Sequence, residues 1–149
     1  MGYMPYQDTT ISPSKSIGQI MEMLTDVGFE RVGQMSEKGR HVVLAQHGTS
    51  QFRFEANTEK IFNVLYQRRS RERAELQARR IAWRIIWNQV KNACDAIRYD
   101  VVEVADVFGG YLEFSTPEGR TTLGRFVAQG VASGAIGSSQ SIAGLLTQR

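Results

Sequence analysis

The segment from Arg69 to Arg98 reads as one long helix, and a rod of that length must serve as the spine on which a 149-residue chain folds. The rod is polarised. Arg73, Arg80, Arg84, Lys91 and Arg98 are spaced by 7, 4, 7 and 7 residues, near-multiples of the helical period, so they share one narrow stripe. Trp83 and Trp87 lie beside the stripe, one turn apart. The opposite side carries Ala78, Ala82, Ile85, Ile86, Ala93, Ala96 and Ile97, a surface suited to a core. A cationic ridge flanked by indoles predicts contact with something anionic.

The charge along the chain supports that reading. The formal net charge is only +3, but residues 56–99 carry ten basic and four acidic side chains, while the stretches on either side are slightly acidic. Charge concentrated in this way attracts anions better than the same charge spread evenly. Apolar residues make up 42% and charged residues 22%, ordinary for one folded domain with a real core. The one cysteine, Cys94, excludes an internal disulfide and fits a reducing interior. Met1 to Thr10 has neither a basic start nor an apolar run, so no signal peptide is expected. No stretch reaches the roughly 18 apolar residues of a membrane span. A cytoplasmic protein without a membrane partner is the expectation.

Ser12-Pro13 predicts a helix start, with Ser as cap and Pro at the first helical position. Ile17, Ile20, Met21 and Leu24 continue it to about Val27, and Gly28 is suited to end it. Phe29–Met35, His41–Gln46 and Gln51–Glu55 predict a small antiparallel meander, with Phe52 and Phe54 on its buried side. Asn57 is expected to cap a second helix bearing Ile61, Phe62, Val64 and Leu65, and the run 67–71 to mark a joint before the spine. Glu75 and Arg79 are spaced for an i, i+4 pair. Val101–Phe108 suits a short helix, Gly109-Gly110 a turn or a close-packing point, and Tyr111–Phe114 an extended piece. Thr116-Pro117-Glu118 reads as a further helix start, for a helix with Leu123, Phe126 and Val127 on its apolar face. These elements predict an α+β fold: a small antiparallel sheet packed by helices, one long central helix and a C-terminal helical segment. Residues 1–137 are expected to form one domain, and 138–149 a flexible or partner-docking tail in which Ile142–Leu146 is a small apolar patch.

Catalytic and metal motifs are not found. His41 and His47 lie near a turn with no Cys or carboxylate at ligand spacing, and Cys94 has no base beside it in sequence. No phosphate-binding loop is present, and Glu103 with Asp106 reads as an ordinary surface pair. No catalytic residue, metal ligand or cofactor is therefore assigned, and an enzyme is not expected.

The stretch Ala78–Ile86, followed by Val104-Ala105-Asp106-Val107-Phe108-Gly109-Gly110-Tyr111, resembles small uncharacterised proteins encoded by phages and prophages. The helix start at Ser12–Ser16 and the run Pro117–Thr121 fit the same outline. The resemblance implies an origin, in a host-cell cytoplasm, and no site. It implies roles common among small phage proteins: binding nucleic acid, or blocking a component of host defence.

The leading expectation is a non-enzymatic accessory protein that binds nucleic acid through Arg73, Arg80, Arg84 and Lys91, with Trp83 and Trp87 as stacking surfaces. The alternatives are a module that binds a host or phage protein, such as a defence inhibitor, and a small-molecule binder. A pair of exposed tryptophans and an apolar tail would also suit a homo-oligomer. All of this requires that the arginines are not already neutralised by carboxylates of the last third of the chain.

Overall fold

A computed structural model of the chain describes residues 2–37 and 40–134. The element order is α1 (Pro13–Asp26), β1 (Arg31–Glu37), β2 (Arg40–His47), β3 (Ser50–Glu55), α2 (Glu59–Tyr66), α3 (Arg71–Arg98), α4 (Val104–Phe108), a 3-10 turn (Gly109–Tyr111), β4 (Glu113–Thr116), β5 (Gly119–Thr122) and α5 (Leu123–Ala132). The fold is α+β. The three-stranded antiparallel sheet has the order β1-β2-β3, and β4 and β5 form a separate hairpin. The expected tail, 138–149, lies outside the described residues.

Local chemistry accounts for the start of the chain. Ser12 Oγ accepts from the Lys15 N–H at 3.1 Å, Pro13 opens α1, and Gly28 takes a φ of +104° where the helix ends. In β3, Phe52 and Phe54 point into the core while Gln51 and Arg53 face outward. The second helix differs slightly from expectation. Thr58 occupies its cap position, and Asn57 Oδ1 instead accepts from the Glu59 N–H at 3.1 Å. The joint before the spine is real, since α2 ends at Tyr66 and α3 begins at Arg71. Glu75 bonds back to Arg71 at 3.2 Å rather than forward to Arg79. Glu103 and Asp106 are not an idle surface pair: they form the capping box of α4.

Thr116-Pro117-Glu118 does not start a helix. It is the turn of the β4–β5 hairpin, in which Thr116 pairs with Gly119 and the Thr116 hydroxyl donates to the Gly119 carbonyl at 2.8 Å. Proline is as well suited to the second position of a β-turn as to the first turn of a helix, because both need the same φ. Gly119, at φ +126°, completes the turn, and the helix starts later, capped by Thr122. Gly124 of α5 rests on the 3-10 turn so closely that a Cβ there would lie 2.9 Å from the Gly110 carbonyl oxygen. The hairpin and α5 are fastened to the sheet by polar contacts. Glu55 receives Arg53 at 3.4 Å, Arg40 at 3.6 Å and Arg125 at 3.3 Å, while Gln51 donates to Glu113 at 3.2 Å. Burial pulls Arg53 down, but Glu37, Glu55 and Glu113 outweigh it and hold the guanidinium above its ordinary value.

The spine does not bury one continuous face. Along its first half Ala74, Ala78 and Ile81 pack with Leu65 of α2, joined by Ile61, Phe62 and Met4. From Trp83 onward, Trp83, Ile86, Val90 and Cys94 join the main core with Ile17, Ile20 and Leu24 of α1 and with Phe52 and Phe54 of the sheet. At 3.6 residues per turn these two sets point in roughly opposite directions. The helix is thus covered on one side at its start and on the other further along, and the cross-over at Ile81–Arg84 is buried on every residue.

Candidate nucleic-acid interface

Arg73, Gln77, Arg80 and Arg84 follow one another at spacings of 4, 3 and 4 residues, so they share one helical face. The N-terminal arm crosses that face at Gln77. The Gln77 amide is buried, and its Nε2 donates to the carbonyls of Gln7 at 3.0 Å and Thr9 at 2.9 Å. Gln77 Oε1 accepts from Arg80 Nη1 at 3.4 Å. Arg80 is half-buried, and its Nε is enclosed without a partner among the described residues.

Arg84 is 9% exposed. Its Nη1 donates to Gln19 Oε1 of α1 at 2.8 Å, and its guanidinium carbon sits 3.5 Å from the centre of the Trp87 ring. Burial lowers its affinity for the proton; the phenol of Tyr6 acts in the opposite sense. Among the described residues no carboxylate pairs with Arg73, Arg80 or Arg84, so glutamines hold Arg80 and Arg84 without neutralising them. A buried cation without a counter-charge is costly to the fold.

The far end of the stripe is arranged differently. Lys91 and Arg98 share the single carboxylate of Asp95, at 3.4 Å and 3.8 Å. The two indoles do not form a stacking platform. Trp83, at 2% exposure, is a core residue, because α1 and the sheet lie on the side to which 83, 86 and 90 point. Trp87 is half-buried and packs against that core, with Arg84 over its face.

A cleft of about 810 Å³ opens beside this face, between the arm and the end of α2. The arm contributes Tyr3, Met4 and Tyr6 to its walls, and the joint contributes Arg68 and Arg69. Both arginines are exposed and unpaired among the described residues, and Asp8 is the one acidic side chain in the lining. From Arg68 to Arg84 the chain holds seven arginines and two glutamates. Arg68 and Arg69 read from sequence only as a joint. Gln19 and Gln77 carried no sequence signal as partners of the stripe, although the 4-3-4 spacing places Gln77 on it.

Cys94 is buried, and desolvation pushes its thiol up to about 11, as for a core residue and unlike a nucleophile. Among the described residues no group of three His, Cys, Asp or Glu is placed to hold a metal, and no helix is long and apolar enough to cross a membrane. The chain matches no family model, no curated protein and no solved structure.

Proposed function

We propose that this protein is a non-enzymatic binder of nucleic acid, and that the contact is made by the first half of the spine and the joint before it. Arg68, Arg69, Arg73 and Arg80 meet phosphates, and Arg84 backs Arg80 from the interior. The observation that carries this reading is the guanidinium of Arg84, nine-tenths buried and held by Gln19 and Trp87, with no carboxylate of the described residues paired to it. A fold that only needed a filler there would be better served by an apolar side chain, whereas a visiting phosphate gives the retained charge a use. The test is a titration of a fluorescent oligonucleotide at about 50 mM salt. Binding is expected to weaken steeply as salt rises and to fall at least about tenfold in the Arg80→Ala, Arg84→Ala double variant. Arg120→Ala, in the β4–β5 hairpin where Arg120 pairs with Glu113 at 3.1 Å, should bind as the parent does, and absence of binding at low salt contradicts the proposal.

A protein-binding role is supported by a different observation. On α5, Leu123, Phe126, Val127 and Val131 recur at helical spacing, and all four remain exposed. In this second reading that face, rather than the tryptophans, meets a host or phage protein. A partner that co-purifies with the parent protein and disappears with Phe126→Ser, Val131→Ser would support it, and retention by that variant would end it.

A further inference from the structure

We infer that the cleft between the N-terminal arm and α2 takes an unpaired base, so that the preferred ligand is single-stranded nucleic acid. This rests on the nucleic-acid reading above and narrows it. The cleft joins two chemistries that a strand presents together. Tyr3, Tyr6, Met4, Val64 and Leu65 offer aromatic and apolar surface, while Arg68 and Arg69 offer guanidinium groups at the same walls. Tyr3 is 92% exposed, a ring with almost none of its surface covered by the described residues. Such a ring can stack on a base only if the base is free of its own stack, a condition a duplex does not meet.

Two further features favour a built site over a loose arm. Tyr6 holds a φ of +58°, a conformation that a bulky residue adopts at some cost. It is kept there by the Thr9 N–H donating to the Tyr6 carbonyl at 3.0 Å and by Gln77, which anchors the carbonyls of Gln7 and Thr9. The same glutamine accepts from Arg80, so the arm that shapes the cleft and the arginine stripe share one hydrogen-bonded residue. The stripe from Arg73 to Arg84 covers twelve residues, about 16 Å of helix, which is more than one nucleotide can span and favours a polymer.

The test uses the full chain and four probes: a labelled twelve-nucleotide oligothymidylate, a duplex of the same length, inorganic polyphosphate and thymidine monophosphate. The oligothymidylate is expected to bind at least about tenfold more tightly than the duplex or the monophosphate. Tyr3→Ala should weaken it about five- to hundredfold and leave polyphosphate binding unchanged, while Tyr3→Phe should bind as the parent does. Because Tyr3 is exposed, the substitution leaves the fold intact, which circular dichroism checks. Equal binding of strand and duplex, equal binding of strand and monophosphate, or indifference to Tyr3→Ala overturns this inference, and the wider proposal survives if polyphosphate or duplex still binds. Failure of every polyanion to bind overturns both.

Discussion

The two halves of the spine carry the same kind of side chain on the same stripe and treat it in opposite ways. In the second half, Lys91 and Arg98 reach to Asp95 on their own helix, and the other side of the rod is sealed into the main core by Ile86, Val90 and Cys94. In the first half, Arg73, Arg80 and Arg84 find no carboxylate among the described residues, and the glutamines beside Arg80 and Arg84 leave the charge in place. A row of cations is therefore not one surface. What decides its role is which neighbours the fold lays against each turn, and here the change falls where the buried face of the helix crosses from α2 to α1 and the sheet.

The largest expected effect separates the two indoles. Trp83→Ala should destabilise the protein by about 3–5 kcal/mol in urea unfolding, as for a large side chain removed from a core. Trp87→Ala, which removes a half-buried ring from beneath Arg84, should cost less than about 2 kcal/mol. Equal destabilisation would mean that the two tryptophans do not differ as described.

Cys94 probes the sealed half through pH. Burial in the fold pushes its thiol up from an ordinary value near 9.0 to about 11. The native state therefore favours the protonated thiol. Its contribution is fully present below pH 9 and is lost as pH rises toward 11, a decline of about 2–3 kcal/mol if the whole shift is realised. Comparing unfolding midpoints of the parent and Cys94→Ala across that range isolates the effect, and parallel curves would contradict it.

Arg84→Met tests the open half. Replacing a buried, unneutralised cation by an apolar side chain of similar length should leave stability within about 1 kcal/mol of the parent, or raise it, while oligonucleotide affinity falls. Destabilisation by more than about 2 kcal/mol would show that the guanidinium is needed by the fold itself. The smallest effect is that of Asp95→Asn. An exposed pair contributes little, so stability should change by no more than about 0.5 kcal/mol, whereas freeing Lys91 and Arg98 should raise affinity for a polyanion a few-fold.

Much of the backbone was legible in the residues. Ser12-Pro13 and Gly28 bound the first helix, the Phe52–Phe54 alternation marks an inward strand face, and the joint before Arg71 was visible as a run of polar residues. Where sequence reasoning failed, the local signal was degenerate or the deciding partner was distant. Thr116-Pro117-Glu118 fits a helix start and a β-turn equally, and the pairing of Glu113 with Thr122 settles the matter. A helical wheel shows that Trp83 and Arg84 adjoin, but not that α1 and the sheet will cover both. Gln19 lies 65 residues from Arg84, and Gln7 lies 70 residues from Gln77, so no periodicity within the spine points to either contact. Leu123, Phe126 and Val127 of α5 read as one apolar face from their spacing, but spacing does not tell that the described residues leave it open.

The most direct test of the contrast is the slope of binding against salt. For a single strand, each phosphate that a cation no longer meets should make the plot of log K against log salt shallower by about 0.7. Arg73→Gln, which removes a cation that no described carboxylate pairs with, is predicted to flatten the slope by about that amount, and Lys91→Gln to leave it unchanged. A slope that responds to Lys91 and ignores Arg73 would contradict the account.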